Sequence, residues 1–280
     1  MQSPLREKPV PRTTGLIESV SSLLRSAATE IVLPNFGSLH DSEIWHEAGN
    51  EVVTTVDQKV ESLVANRLAE LLPGSVVLGE EAAKRQPSLR DLLDGTSLVW
   101  LLDPLDGTGN FVAGIPCFSI MATLVERGQT TMSWMLDPLT NVLAACEWGA
   151  GAFVGEHRIH APSRLPDASQ LRGAILKRFL PPDLRLHVES REALFGQVLP
   201  GMKCAGHEYP ALATGEEDFA LFWRTEPWDH APGALFLEEA GGHVARLDGQ
   251  AYRPADPGQG LLAAGSEEIW NTAHAALGLP

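Results

Sequence analysis

A chain of 280 residues with 44% apolar side chains exceeds one average domain and has ample material for a core, as two subdomains or one large layered unit. Its net charge of −15, from 36 acidic against 21 basic residues, excludes a general nucleic-acid scaffold, which needs a basic face. Cys117, Cys146 and Cys204 are an odd number without metal-binding spacing, which fits reduced thiols in a cytoplasmic protein, and no stretch is apolar for long enough to span a bilayer.

Met1–Arg12 carries prolines and charges but no signal-peptide core, so residues 1–13 read as a frayed tail. Leu16, Val20, Leu23, Leu24, Ala27 and Ile31 recur at helical spacing. A loop of low periodicity, Pro34–Asn50, precedes a second amphipathic helix marked by Val60, Leu63, Val64, Leu68 and Leu71. Asp57, taken alone, reads as that helix's N-cap. Strands are then expected at Val76–Leu78, Leu98–Leu102, Ser119–Val125, Thr131–Leu136, Val142–Glu147 and Ala152–Val154, giving an α+β half (14–160) with a largely antiparallel sheet. The proline-rich, polar Ala161–Ala168 marks a boundary to an α/β half (161–280). There the pattern predicts a strand at Gly173–Lys177, a helix over Leu184–Leu194 and a further strand-like segment at Met202–Ala205. Pro227-Trp228-Asp229 opens a helix through Ala231–Ala240 that Gly241-Gly242 closes. A hairpin Val244–Tyr252 around Asp248-Gly249, a strand Leu261–Ala264 and a last helix capped by Ser266 complete the chain.

The densest chemistry lies in Leu101–Asn110, Leu-Leu-Asp-Pro-Leu-Asp-Gly-Thr-Gly-Asn. An apolar strand ends in two carboxylates, with Pro104 expected to turn the chain so that Asp103 and Asp106 converge. Hard cations such as Mg²⁺ take oxygen ligands, commonly one or two carboxylates with waters and phosphate oxygens. Gly107 permits close backbone approach, and free amides from Gly107 and Thr108 onward suit a phosphate. Asp94-Gly95-Thr96 and Asp137-Pro138-Leu139-Thr140 lack one or other of these parts and read as ordinary turns. Glu80, in Gly79-Glu80-Glu81, also sits at a strand end.

Gly79-Glu80-Glu81, Asp103-Pro104-Leu105-Asp106-Gly107-Thr108, Trp228-Asp229 and Glu239-Ala240-Gly241-Gly242 together resemble the inositol monophosphatase family, from about Thr14 to the C-terminus. The resemblance implies a layered αβαβα sandwich and a Mg²⁺-dependent, lithium-sensitive phosphatase, cytoplasmic and homodimeric. It implies that Glu80, Asp103 and the Leu105 carbonyl bind one Mg²⁺ and that Asp103, Asp106 and Asp229 bind a second, with a looser third ion near Glu80. Asp57 and Thr108 match positions that orient the attacking water, with Glu80 beside them, and the amides of Gly107 and Thr108 match the phosphate cradle.

The departures fall on the substrate side. Gly206-His207-Glu208-Tyr209 replaces a run of small residues, and Phe222 stands where inositol-specific members carry a ring-binding glutamate. His207, Glu208, Tyr209 and Phe222 are therefore expected to contact the alcohol, while His230 is expected to be exposed at a helix start. A lysine of the family's mobile loop is matched by His46, and Gly109 replaces a second threonine. The expected partner is a small phosphorylated metabolite (an inositol, sugar or histidinol phosphate), with no nucleic acid and no membrane. Two alternatives stand beside it. One is a 3′(2′),5′-bisphosphate nucleotidase, for which no clear basic pair stands out. The other is a regulatory binding protein that keeps the fold, against which the complete carboxylate set speaks.

Overall fold

The computed structural model describes residues 15–46, 51–95, 97–163, 165–256 and 258–279; the expected tail and residues 47–50 of the expected loop lie outside them. Helix α1 (Gly15–Ala27) runs on through a π turn (Ala28–Val32) into α2 (Leu33–Asn35). The expected Pro34–Asn50 loop thus begins as helix, and it later contributes β1 (Ile44–His46), which pairs antiparallel with β2 (Val52–Thr54). Alternating patterns three residues long are too short to stand out as strands.

Helix α3 (Thr55–Leu71) is capped by Thr54, whose hydroxyl accepts from the Val56 amide at 3.1 Å. Asp57 is therefore not the cap but the third helical residue, and its carboxylate closes a capping box on the Thr54 amide at 2.8 Å. Then follow β3 (Val76–Gly79), α4 (Glu80–Arg85), β4 (Leu98–Asp106), α5 (Thr108–Val112), β5 (Ser119–Glu126), β6 (Gln129–Leu136), β7 (Leu143–Glu147), β8 (Gly151–Val154) and β9 (His157–Ile159). They form a seven-stranded sheet in the order β3-β4-β5-β6-β7-β8-β9, antiparallel except for β3 with β4. Pro104 does not end β4 as expected. The strand continues to Asp106 through a register shift against β5 between Asp103 and Asp106, a bulge that absorbs the missing N–H.

The remaining elements are β10 (Arg172–Ile175), α6 (Pro182–Glu189), β11 (Gln197–Leu199), α7 (Ala205–Thr214), β12 (Phe219–Phe222), α8 (Pro227–Glu239), β13 (His243–Arg246), β14 (Leu261–Ala264) and α9 (Glu267–Leu277). A mixed five-stranded sheet runs β11-β10-β12-β14-β13. The strand expected at Met202–Ala205 lies instead at Gln197–Leu199, because Gly201 turns away at φ +78° and Ala205 already opens α7. The Ser266 hydroxyl caps α9 by accepting from the Ile269 amide at 3.2 Å.

Strand alternation explains the layering. Trp100, Leu102, Ile120 and Leu124 pack against Val20 and Leu24 of α1 and Val60 and Val64 of α3. Leu101, Met121 and Met135, on the opposite face, pack with Tyr209 and Leu212 of α7 and Ala231 and Leu235 of α8. Across those helices, Ala220 and Val244 belong to the same cluster, while Phe219, Leu221 and Leu262 meet Ile269 and Trp270 of α9. The result is a layered αβαβα sandwich.

The bulky Tyr209 fits between α7 and α8 because Gly233 lies beneath it. A Cβ on Gly233 would stand 1.9 Å from Tyr209 Cδ2. We expect Gly233→Ala to lower stability by about 1–3 kcal/mol through overpacking, read as a lower denaturation midpoint. An unchanged midpoint would mean that the two helices can separate freely.

Candidate active site

Three segments deliver four carboxylates to a cavity of about 550 Å³. Glu80 is the first residue of α4, at the end of β3. Asp103 and Asp106 come from the bulged end of β4, and Asp229 comes from the first turn of α8. Glu80, Asp103, Leu105, Asp106, Gly107, Thr108 and Asp229 all line this cavity. Gly107 adopts φ +85°, and a Cβ there would meet the Cys117 carbonyl at 2.9 Å, so glycine is required where the strand turns into α5.

Each carboxylate is held by neighbours. Asp103 accepts from the Leu105 amide at 3.0 Å. Asp106 accepts from the Gly206 amide at 2.7 Å, the Cys204 thiol at 3.0 Å and the Ser119 hydroxyl at 3.2 Å, so the start of α7 grips it. Gly206 is small for that reason: a Cβ would stand 2.0 Å from Ser119 Oγ. Lys84 reaches Glu80 at 2.9 Å, and Arg224 approaches Asp229 at 3.9 Å while pairing with Glu51. Asp57 does not line the cavity, but it accepts from the Thr108 hydroxyl at 3.0 Å, and Thr108 Oγ1 also stands 2.8 Å from the Leu105 carbonyl.

Burial dominates the electrostatics. It pushes Glu80 up to about 8, despite Lys84, and Asp229 up to about 7. Asp103 is raised by burial and then by Glu80, Asp106 and Asp229, and burial also raises Asp106. Acceptor-only groups crowded in this way, with a backbone carbonyl beside them, fit hard divalent cations, whose charge would offset the repulsion.

These shifts set the sign of a stability test. Carboxyls with raised values bind more protons in the folded than in the unfolded state, so stability falls as pH rises from about 4 to about 8. His230, held down at about 3 by burial, acts oppositely, but only below its ordinary value near 6.5. In chelator, the melting temperature should therefore fall between about pH 6.5 and 8.5, and millimolar Mg²⁺ should raise it most at the alkaline end. An identical melting curve with and without Mg²⁺ at pH 8 would remove the metal assignment.

The substrate-side expectations need correction. Phe222 lines the cavity, but His207, Glu208 and Tyr209 do not. A helix turns about 100° per residue, so a segment that aims Gly206 at Asp106 sends its neighbours elsewhere. His207 bonds the Phe118 carbonyl at 3.2 Å. Glu208 is fully buried and accepts from the Met202 amide at 2.8 Å. Tyr209 is a core residue stacked on Phe222 at 5.4 Å, and its hydroxyl meets His230 Nδ1 at 3.0 Å. His230 is buried rather than exposed, and its Nε2 lies 3.0 Å from the Arg224 carbonyl. Since that carbonyl only accepts, Nε2 carries the proton and Nδ1 accepts from Tyr209. Asp137, expected in an ordinary turn, accepts from the Leu139 amide at 2.8 Å and the Thr140 hydroxyl at 2.7 Å, a local turn with no part in the cavity.

Several cavity residues carried little sequence signal. Lys177, Arg178, Lys203 and Arg224 form a basic wall of the same cavity with Phe179 and Trp223, and Arg224 lies beside Asp229. Glu51 enters from the residue just before β2. Only Lys84, four residues after Glu80 on a helix, follows a rule readable in one sequence.

A sequence model of the inositol monophosphatase family matches residues 16–277. The Nus factor SuhB of Vibrio cholerae is 31% identical over 215 residues, covering 72% of this chain and 74% of that protein. The inositol-1-monophosphatase of Mesorhizobium japonicum is 29% identical over 244 residues, 83% of each. Among solved structures, the extragenic suppressor protein suhB of Bartonella henselae superposes with a TM-score of 0.82 at 22% identity, covering 94% of this chain and 98% of that one. Inositol monophosphatase II from Staphylococcus aureus superposes at 0.75 with 23% identity, covering 94% and 96%. With the motif residues gathered at one cavity and the family model spanning nearly all of the described fold, the chain belongs to the inositol monophosphatase family.

Proposed function

We propose that this protein is a Mg²⁺-dependent phosphomonoesterase acting on a small phosphorylated alcohol. The observation that carries this is the convergence of Glu80, Asp103, Asp106, Asp229 and the Leu105 carbonyl beside the first amides of α5. Glu80, Asp103 and the Leu105 carbonyl would hold one Mg²⁺, Asp103, Asp106 and Asp229 a second, and waters near Glu80 a third. Bound Mg²⁺ lowers the pKa of coordinated water and neutralises charge on the phosphoryl and leaving oxygens. The amides of Gly107 and Thr108 would orient the phosphate, while Thr108 and Asp57 position the attacking water and take up its proton. The Vibrio relative's name, a Nus factor, raises a regulatory reading, but a carboxylate set kept in full supports an enzyme.

A second reading, a 3′(2′),5′-bisphosphate nucleotidase, gains support from the wall of Lys177, Arg178, Lys203 and Arg224. These cations sit with Phe179, Phe222 and Trp223, a combination suited to a flat group and a second anion. A phosphate-release panel with Mg²⁺ separates the readings. Inositol 1-phosphate should fall about 10–100-fold below the best substrate, because Phe222 cannot supply the ~1.5–3 kcal/mol of a carboxylate–hydroxyl hydrogen bond. Lys203→Ala should weaken a 3′,5′-bisphosphate at least about tenfold and leave singly phosphorylated alcohols nearly unchanged. If inositol 1-phosphate leads the panel, this view of the pocket fails.

A further inference from the structure

Behind the phosphate cradle lies a cluster of which the phosphatase reading uses only the contact of the Cys204 thiol with Asp106. Cys117 precedes β5, Cys204 is the N-cap of α7, and His207 stands in that helix's first turn. Each offers one ligand atom, and the three atoms lie within 4.8 Å of one another. Cys117 and Cys204 are free thiols 87 positions apart in sequence, so their spacing gave no hint of the cluster.

We propose that Cys117, Cys204 and His207 form a second metal site, selective for a thiophilic divalent cation such as Zn²⁺ and distinct from the oxygen-lined Mg²⁺ site. Two thiolates and an imidazole are a donor set for zinc, not magnesium. With Zn–S near ~2.3 Å and Zn–N near ~2.0 Å, tetrahedral ligands stand roughly 3.3–3.8 Å apart, so small side-chain rotations from the observed separation close the site. With Nδ1 as its ligand atom, His207 adds a separate support. Its Nε2 lies 3.2 Å from the Phe118 carbonyl, an acceptor only, so Nε2 bears the proton and Nδ1 keeps its lone pair. A ligating histidine is commonly oriented by just such a bond from its other nitrogen. Access exists as well, since Cys117 and His207 are only partly buried and Cys204 lines the cavity.

Occupancy would reach the carboxylates through Cys204. Its thiol donates to Asp106 Oδ2 at 3.0 Å; metal binding releases that proton to solvent, so Asp106 loses the donor and faces a metal-bound thiolate instead, which shifts the carboxylate from its place in the Mg²⁺ site. The consequence, which rests on the phosphatase reading, is that Zn²⁺ depresses turnover at saturating Mg²⁺.

The test uses the full reduced chain with Co²⁺ as probe in excess Mg²⁺. A thiolate-to-cobalt charge-transfer band should grow to one equivalent and vanish on adding Zn²⁺. It should persist in Asp103→Asn and weaken at least about 10²-fold in affinity in Cys117→Ser and His207→Ala. Zn²⁺ should inhibit the parent protein but not Cys117→Ser. No band, or a band indifferent to Cys117→Ser, overturns the site, and so does loss of two thiols to a disulfide before any metal binds. A normal band in a protein that releases no phosphate from any substrate leaves the site standing and rejects the phosphatase reading instead.

Discussion

Asp103→Asn should abolish nearly all Mg²⁺-dependent phosphate release while leaving a folded protein. Asp103 is 2% exposed, and its carboxyl is raised by burial and by three surrounding acids, which makes it the centre of the cluster. As the one side chain proposed to serve both cations, its loss should cost about three orders of magnitude or more in kcat, beyond the 10²–10³ typical of a single lost electrostatic donor. Asparagine keeps the shape and can still accept from the Leu105 amide, so the bulge survives. Removing one of several mutually repelling carboxyls should also raise the melting temperature in chelator above that of the parent at pH 8, and shrink the gain from added Mg²⁺. Kinetics and melting curves on the same preparation check both parts. Undiminished turnover in a folded variant would overturn the metal assignment.

Where a side chain's place follows from a local repeat, the sequence was a good guide. Val60, Val64 and Leu68 announced the buried face of α3, and the apolar runs of β5 and β6 announced strands of a largely antiparallel sheet. The Asp103–Thr108 motif was legible because all its parts lie within one strand end and one turn. What the sequence hid depends on tertiary approach. Arg224 and Glu51 meet across the cavity from segments with no shared pattern, and Cys117 reaches Cys204 only once β5 and α7 have packed. The segment Gly206–Tyr209 shows the intermediate case. Its location beside the site was readable, but which side of the helix each residue occupies was not, and Tyr209 proved to be a core residue matched to Gly233. The strand through Pro104 was misjudged for a related reason: a proline ends a regular strand but is tolerated at a bulge, and the bulge is set by the pairing with β5.

The pair Asp57 and Thr108 should govern kcat rather than substrate affinity. Asp57 is nearly fully buried, and its Oδ2 is taken by the Thr54 amide at 2.8 Å and hydroxyl at 2.6 Å. Oδ1 is left to face the Thr108 hydroxyl at 3.0 Å. A hydroxyl has one hydrogen to give; donated to Asp57, it leaves Thr108 Oγ1 as an acceptor at the cavity wall, ready for a water's proton. Burial raises Asp57 to about 6, against its hydrogen bonds, which brings the group nearer neutrality, where a proton acceptor works best. Thr108→Val, which keeps the shape and removes the relay, should lower kcat by about 10²–10⁴-fold with KM little changed, and Thr108→Ser should restore most of it. Asp57→Asn should give a comparable loss and flatten the acid limb of the pH–rate profile, which in the parent rises as pH passes the Asp57 value. The melting temperature of Thr108→Val should stay within a few degrees of the parent's, since the residue is only part-buried. If Thr108→Ser is as slow as Thr108→Val, the hydroxyl carries no proton. If both variants change KM and leave kcat alone, the pair merely shapes the cradle for phosphate.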